Sequence, residues 1–147
     1  MSTTKEEIVL RSPSREELTW INAKYAEVEF VASEFDTEDI VIAEINGERA
    51  GIGRVIRIND SVKEIGGIYV FEGFRGRGAA RKIVEHLCSF LEPNSDSYVI
   101  PYAELKEFYE SFGFKEVTRT ATVPKEIHQK WEFCKQAYDK KVLLMKL

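Results

Sequence analysis

In the stretch 71–80, glycines alternate with arginines between an apolar segment and an amphipathic helix. Glycine lets a backbone come close to a phosphate, and a helix that begins near Gly78 points its unpaired N–H groups and the positive end of its dipole at the same place. Arg75 and Arg77 add fork-shaped donors suited to phosphate oxygens. The segment therefore predicts an anion site at a strand-to-helix connection.

A plain turn, an RNA-binding tract and a kinase-type loop each fit this segment less well. A strand-to-helix turn needs glycine for its backbone angles, but small residues at four of the five positions from Gly76 to Ala80 exceed that need. RNA-binding arginine–glycine tracts are repeated and disordered, whereas this segment leads into a patterned helix. A kinase-type phosphate loop requires a Gly-Lys-Ser/Thr sequence, which does not follow. We therefore favour the anion site.

Composition is that of a globular protein. The chain has 147 residues, 44% of them hydrophobic and 31% charged, so we expect one domain over residues 1–147. No apolar run approaches the roughly 18–20 residues that span a bilayer, and segment 1–7 lacks the apolar core of a signal peptide. We expect a cytoplasmic protein with no membrane partner. The formal charge of −4 argues against a nucleic-acid partner, which requires a basic face.

The cysteines and histidines indicate neither a disulfide nor a metal site. Cys88 and Cys134 fall at apolar positions of predicted helices and have no Cys-x-x-Cys spacing, so we expect buried, reduced thiols. His86 and His128 have no partner at ligand spacing. We expect no metal.

Periodicity and turn signals predict strands and helices along the whole chain. Predicted strands cover 8–11, 40–45, 50–58, 65–71, 98–100, 114–123 and 141–147; predicted helices cover 14–25, 78–91, 103–112 and 124–138, with a helix or turn over 28–35. Asn46-Gly47 predicts a hairpin turn, and Gly66 with Gly67 indicates a bulge or a close approach to the backbone. The order predicts an α/β (α+β) fold with a mixed sheet and helices on both faces, in which the crossover after residue 71 joins parallel strands.

Two segments carry a resemblance to a known family. Residues 75–80 contain Arg75-x-x-Gly78-x-Ala80, and residues 108–114 have the sequence Phe-Tyr-Glu-Ser-Phe-Gly-Phe. In their order and separation they resemble the GNAT superfamily of acyl-CoA-dependent N-acetyltransferases, whose Arg/Gln-x-x-Gly-x-Gly/Ala signature binds the CoA pyrophosphate. The resemblance implies a mostly antiparallel sheet of about seven strands in a single GNAT-like domain over 1–147, with one extra C-terminal helix before the last strand.

The resemblance also implies acetyl-CoA as cosubstrate. In GNAT enzymes the open backbone of the fourth strand supplies N–H groups to the thioester and pantetheine, which corresponds here to Ile68, Val70 and Phe71. The glycine loop is expected to hold the diphosphate. The cofactor-binding residues expected in the loop are Arg75, Gly76, Arg77, Gly78, Ala79 and Ala80.

Two residues are implied as catalytic groups. Tyr109 corresponds to the tyrosine that many members use to protonate the departing thiolate, and its alternative role is aromatic packing. Glu64 lies six residues before Val70, a position from which some members present a carboxylate base through water. Such a base is useful because an ammonium has a pKa near 10.4. The alternative for Glu64 is an exposed pair with Lys63.

The resemblance is less specific about the residues that bind the amine acceptor. Residues 27–39 carry six acidic side chains and no Lys or Arg, which fits either attraction of a cationic amine or a solvated face. In the family the acceptor cleft lies between the first helices, and Trp131 in the late helix is expected either to wall that cleft or to belong to the core. The substrate-binding candidates are Tyr25, Glu27, Glu29 and Trp131.

These expectations predict an N-acetyltransferase that moves an acetyl group from acetyl-CoA to a primary amine by direct attack in a ternary complex. No nucleophile is positioned for a covalent acyl-enzyme. The alternative is a non-catalytic acyl-CoA-binding sensor or interaction module of the same fold. The sequence leaves open which small-molecule or peptide amine accepts the acetyl group, and whether the chain forms a homodimer as many relatives do.

Overall fold

The structure, a computed structural model, describes residues 7–147. Over these residues it contains β1 (Ile8–Arg11), α1 (Leu18–Glu27), β2 (Glu38–Ile45), β3 (Glu48–Asn59), β4 (Val62–Val70), α2 (Ala79–Cys88), β5 (Asp96–Val99), α3 (Lys106–Glu110), β6 (Lys115–Glu116), α4 (Lys125–Ala137) and β7 (Met145–Lys146). The expectation that residues 1–7 form no signal peptide concerns a segment whose first six residues lie outside the described part. No helix of residues 7–147 is both long and apolar enough to cross a bilayer.

The strands form one seven-stranded sheet in the order β1-β2-β3-β4-β5-β7-β6. β4 and β5 are parallel and pair from Val62–Asp96 to Ile65–Val99. The pairs β1–β2, β5–β7 and β6–β7 are antiparallel. The predicted mixed, mostly antiparallel α/β fold is confirmed, and the crossover through α2 joins parallel neighbours as expected.

The hairpin between β2 and β3 turns where the sequence predicts. Asn46 has a φ of 52° and Gly47 a φ of 82°. Two successive left-handed residues make the turn whose twist matches that of the flanking strands, which is why Asn-Gly is favoured there.

By backbone proximity the chain groups into two compact units. The first unit comprises the described residues up to Val55 together with Gly67–Phe90, and the second comprises Ile56–Gly66 and Leu91–Leu147. That the whole chain forms a single domain stays a prediction.

In the first unit, β3 lies between two helices. A Cβ on Gly53 would collide with the side chain of Ile83 in α2, whereas the guanidinium of the next residue, Arg54, lies 4.5 Å from the ring centre of Tyr25 in α1. Because successive strand residues point to opposite faces, α1 and α2 cover opposite faces of the sheet in this unit. The prediction of helices on both faces is thereby confirmed.

The second unit has its own core, to which α4 contributes. Buried Val62, Tyr98, Ile127 and Leu144 form one cluster, and the partly buried Trp131 packs against it. Ile127 and Trp131 lie four residues apart on one face of α4, and core packing accounts for both apolar side chains.

The last two predicted strands were wrong in extent. Predicted strand 114–123 is reduced to β6 and one further bond, from the N–H of Val117 to the C=O of Leu144, before a 3₁₀ turn at Thr120–Thr122. Predicted strand 141–147 is reduced to β7 and a bridge between Val142 and Tyr102. Strand propensity reflects packing on a pleated surface, and β6 is an exposed edge strand with a partner on one side only.

Candidate functional site

The glycine loop between β4 and α2 is built on left-handed glycines. The φ angles of Gly73, Gly76 and Gly78 are 93°, 79° and 86°. A Cβ added at any of these positions would meet no other atom within 4 Å. The glycines are therefore required by the backbone angles, and the space beside them is open. This geometry is what a plain strand-to-helix turn requires, and it also leaves room for a ligand.

The start of α2 faces this loop without a side-chain cap. Gly78 is the N-cap residue and has no side chain that could accept a hydrogen bond from the first helical N–H groups. The N–H of Lys82 donates to the Gly78 carbonyl at 3.2 Å, so the N–H groups of Ala79 and Ala80 precede that first intrahelical bond. Uncapped helix donors and the positive end of the helix dipole favour an anion at this position.

The two arginines of the loop are exposed. Arg75 donates from Nε to the carbonyl of Val70 at 3.2 Å, which ties the loop back to the end of β4. The guanidinium of Arg77 lies 5.7 Å from the ring centre of Phe74. Both positive charges therefore remain on the same exposed connection as the uncapped helix start.

The end of β4 offers backbone donors in an alternating pattern. The N–H of Phe71 donates to the Ala50 carbonyl of β3 at 2.8 Å, so Phe71 is not available as the backbone donor that the sequence suggested. Successive N–H groups of a strand point to alternate edges, which directs those of Ile68 and Val70 away from β3. These two remain as candidate donors.

That edge of β4 is unpaired beyond its first half. Within the described residues, pairing with β5 ends at Ile65–Val99, so Ile68 and Val70 lie past the last bonded pair. Backbone groups at such an edge need another partner, and an extended ligand with amide groups can supply it.

A kink at Gly67 interrupts β4 just before this edge. Gly67 has a φ of 61°, and the hydroxyl of Tyr25 donates to its carbonyl at 2.7 Å. A Cβ at Gly67 would lie 2.6 Å from the Tyr25 hydroxyl oxygen and 2.8 Å from Nε of Arg54. The predicted close approach of another group to this backbone is confirmed.

The group that approaches Gly67 includes a buried ion pair that sequence reasoning missed. Arg54 is 5% exposed; its Nη1 lies 3.6 Å from Oε1 of Glu38 and donates to the Ser33 hydroxyl at 2.6 Å. Nε of Arg54 and Oε1 of Glu38 have no hydrogen-bond partner among the described residues. The one sign of this ion pair in the sequence is Arg54 itself, a charged residue among the apolar residues of β3.

The three acceptor candidates near α1 lie in different surroundings. Tyr25 is fully buried, and this desolvation raises the pKa of its phenol. Its hydroxyl is bonded to the Gly67 carbonyl, and its role in binding the acceptor stays a prediction. Glu27 is half-exposed and accepts a hydrogen bond from the Tyr69 hydroxyl at 3.0 Å. Glu29 is exposed, in a left-handed turn residue after α1.

Glu64 lies in the second unit and is buried, with 5% of its surface exposed. Its carboxylate accepts a hydrogen bond from the ammonium of Lys130 in α4. Lys63, the preceding residue of β4, lies 3.7 Å from Glu92 instead. The alternative of an exposed Glu64–Lys63 pair was therefore wrong, because adjacent strand residues point to opposite faces.

Tyr109 lies near the end of α3 and is 4% exposed. Its ring makes edge-on contacts with Phe108 at 5.0 Å and Phe114 at 5.9 Å. Helix α3 ends at Glu110, earlier than the predicted end at residue 112, and it is followed by a turn over residues 111–113 in which Gly113 has a φ of 99°. The aromatic packing that we considered for Tyr109 is present, and its catalytic role stays a prediction.

Trp131 belongs to the core cluster of the second unit, and its indole N–H donates to the Val142 carbonyl at 3.3 Å. This environment accounts for the residue by packing and one hydrogen bond. Its placement as the wall of an acceptor cleft stays a prediction.

Cys88 and Cys134 are half-buried rather than buried as predicted. Burial raises the pKa of both thiols, which lowers the fraction of reactive thiolate. Across residues 7–147 there is no group of three His, Cys, Asp or Glu side chains that could hold a metal ion.

Comparison with known proteins identifies the family. A family model described as an acetyltransferase (GNAT) domain matches residues 36–116, a segment that contains the glycine loop, the β4 edge and Tyr109. No match was found among curated protein sequences.

Solved structures of the same fold are numerous. Rv2747 from Mycobacterium tuberculosis, in complex with CoA, superposes with a TM-score of 0.72 at 17% identity over 95% of this chain and 98% of that chain. The ribosomal-protein-S18-alanine N-acetyltransferase from Escherichia coli has a TM-score of 0.68 at 18% identity over 96% and 93%.

A third structure is a larger protein. N-acetylglutamate synthase from Neisseria gonorrhoeae, complexed with coenzyme A and L-arginine, has a TM-score of 0.68 at 12% identity; the match covers 93% of this chain and 32% of that one. This chain thus spans about a third of that protein. The three structures show the fold, and the family model covers more than half of the sequence. The chain belongs to the GNAT acetyltransferase family.

Proposed function

We propose that this chain is an N-acetyltransferase that transfers an acetyl group from acetyl-CoA to a primary amine by direct attack in a ternary complex. Membership of the GNAT family supports acyl transfer. The observation that carries the choice of cosubstrate is the open loop of left-handed glycines that leads into the uncapped start of α2.

In this proposal the loop binds the diphosphate of CoA. The N–H groups between Gly76 and Ala80 donate to its oxygens, and Arg75 and Arg77 neutralise its charge. The N–H groups of Ile68 and Val70 bond to the pantetheine and thioester, because they occupy the part of β4 that lies past its pairing with β5.

The chemistry then needs charge stabilisation and two proton movements. The neutral amine attacks the thioester carbon, and the Ile68 N–H stabilises the negative charge that develops on oxygen. When the C–S bond breaks, Tyr109 gives a proton to the departing thiolate. Glu64 accepts the ammonium proton through water at Oε2, because Oε1 is bonded to Lys130.

The acceptor class is supported by charge. Glu27 and Glu29, with the acidic residues that follow them, favour a positively charged amine near the end of α1. Two of the relatives are named for different acceptors, the alanine of a ribosomal protein and glutamate. Accordingly, both small-molecule and peptide amines belong in the test.

The test has two stages. Calorimetric titration with CoA and acetyl-CoA is expected to give heat at or below millimolar concentration, and a panel of amines assayed for CoA release is expected to show turnover with at least one of them. An acyl-chain series in parallel defines the donor. Absence of heat from folded protein contradicts the proposal, whereas heat without any turnover supports the non-catalytic acyl-CoA-binding module.

Charge variants test where CoA binds. Replacing Arg75 and Arg77 together by Gln is expected to weaken CoA binding by roughly tenfold or more, since a hydrogen bond to a charged group is worth about 1.5–3 kcal/mol. Arg57→Gln, at an exposed position of β3 outside the loop, is the matched control and is expected to bind CoA as the wild type does. Equal affinities in all three proteins would exclude the loop as the diphosphate site.

A further inference from the structure

We infer that Tyr25 is a positioning residue: by donating its hydroxyl hydrogen to the Gly67 carbonyl, it sets the direction of the Ile68 N–H that polarises the thioester. This inference rests on the proposed function, in which that N–H is the donor to the thioester oxygen. It gives Tyr25 a role that differs from the substrate binding suggested by the sequence.

The first step is the geometry of one peptide group. The Gly67 carbonyl and the Ile68 N–H belong to the same planar trans peptide, in which C=O and N–H point in opposite directions. The Tyr25 hydroxyl holds the Gly67 carbonyl at 2.7 Å. The Ile68 N–H therefore points away from the Tyr25 hydroxyl, and this bond fixes the orientation of the whole peptide group.

The second step is that the kink and the phenol fit each other. Gly67 has a φ of 61°, a conformation that other residues rarely adopt. The space that a side chain would need at Gly67 is filled by the Tyr25 hydroxyl and by Nε of Arg54, 2.6 and 2.8 Å from the Cβ position. A residue other than glycine would therefore displace the phenol as well as strain the backbone.

The third step is that the phenol itself is held in place. Tyr25 is 0% exposed, and the guanidinium of Arg54 lies 4.5 Å from its ring centre. Arg54 is in turn bonded to Ser33 and lies beside Glu38. Water does not compete for the bond to Gly67 in such surroundings. Burial also raises the pKa of Tyr25, so the hydroxyl keeps its hydrogen over the working range of an enzyme.

The consequence concerns turnover rather than binding. A preorganised N–H lowers the barrier because it already points to where charge develops, and removal of one such donor lowers kcat by about 10²–10³-fold. Tyr25→Phe keeps the Ile68 N–H but releases the peptide group that carries it. We expect kcat to fall by less than full removal would cause, roughly tenfold, with the dissociation constant for CoA unchanged, because the diphosphate is bound elsewhere.

The experiment measures the bound thioester directly. Acetyl-CoA labelled with ¹³C at the carbonyl is bound to wild-type protein, and its carbonyl stretch is recorded by infrared difference spectroscopy. The wild type is expected to shift the stretch to lower frequency, and Tyr25→Phe to show a smaller shift at full saturation. Tyr98→Phe is the control, because Tyr98 is a comparably buried phenol at 2% exposure in the second unit, and it should match the wild type.

Circular dichroism will show whether Tyr25→Phe folds. A second variant tests the inference if it does not. Incorporation of 3-fluorotyrosine at position 25 keeps the ring and the hydroxyl and makes the phenol a stronger donor, so the carbonyl shift is expected to equal or exceed that of the wild type. A smaller shift in the fluorinated protein, or a wild-type shift and kcat in folded Tyr25→Phe, would show that Tyr25 has no positioning role. Wild-type protein that does not bind acetyl-CoA would instead contradict the proposed function itself.

Discussion

At the scale of single residues, one phenol separates chemistry from binding in the proposed mechanism. Tyr109→Phe removes one oxygen and keeps the edge-on contacts with Phe108 and Phe114. Because a general acid contributes about 10²–10⁴-fold to rate, kcat is expected to fall by about 10²-fold or more while CoA binds with unchanged affinity. Steady-state release of CoA gives kcat, and calorimetry gives the dissociation constant.

The control for this variant is again Tyr98→Phe, which removes a buried phenol oxygen from β5 and should leave kcat unchanged. Wild-type turnover by Tyr109→Phe would remove this tyrosine from the mechanism without excluding catalysis. Weaker CoA binding together with normal kcat would show that Tyr109 serves the cofactor site instead.

Features of the site that depend on neighbouring residues can be predicted from the sequence, whereas contacts between residues far apart in the chain cannot. The loop glycines were predictable because left-handed backbone angles select glycine over other residues. The partner of Glu64 was not, since Lys130 is 66 positions away along the chain and nothing local links the two. Likewise Arg54 gives no sign in the sequence that it meets Ser33 and Glu38, because only the pairing of strands brings them together.

At the scale of elements, the entrance to α1 depends on one carboxylate. Glu17 accepts two hydrogen bonds from Arg11, at 2.8 and 2.9 Å, and one from the Ser14 N–H at 2.9 Å. Ser14 and Glu17 thereby form a capping box. The hydrogen bonds from Arg11 are the main cause that lowers the pKa of Glu17 from 4.5 to about 2.

The sign of the pH effect follows from that direction. A carboxyl whose pKa is lower in the folded than in the unfolded chain stabilises the fold above its unfolded pKa, and this stability is lost as pH falls from about 4.5 towards 2. We expect the free energy of unfolding, measured in urea at a series of pH values, to fall more steeply over this window for the wild type than for Glu17→Gln. The exposed neighbour Glu16, changed to Gln, should follow the wild type; parallel curves for Glu17→Gln would contradict the argument.

Helix α4 is expected to stabilise β4 through a single charge. Lys130→Met leaves the buried carboxylate of Glu64 without its partner, and we expect a loss of about 1–3 kcal/mol in unfolding free energy. In the double variant with Glu64→Gln most of this loss should disappear, because no uncompensated charge remains. Denaturant titration of the wild type, the two single variants and the double variant gives the coupling free energy between Lys130 and Glu64.

The control for α4 is Lys135→Met, which removes an ion pair with Glu132 on the exposed side of the same helix and should cost less than about 1 kcal/mol. Additive losses in the double variant would mean that the contact between Lys130 and Glu64 contributes nothing to stability. In that case packing of residues such as Ile127 and Trp131, and not this ion pair, holds α4 in place.

At the scale of the whole molecule, two strands belong to both compact units. β3 runs through Val55, and β4 runs through Gly66, the residues at which the units divide. A strand cannot melt in one half while the other half keeps its hydrogen-bonded ladder without losing pairs at the junction. We therefore expect a single calorimetric transition, with equal calorimetric and van't Hoff enthalpies, as a single domain over residues 1–147 requires.

Binding of CoA provides a further test of whether the chain unfolds in a single transition. CoA at about 100 times its dissociation constant adds about 2.7 kcal/mol to the stability of whatever unfolds with its site, which corresponds to roughly 5–10 °C for a chain of this size. If the glycine loop binds CoA and the chain unfolds as one domain, the entire transition moves upward by this amount, and the Arg75/Arg77 double Gln variant moves less. Two transitions of which only one responds to CoA would show that the units unfold separately, while a shift of the same size in the loop variant would place the ligand elsewhere.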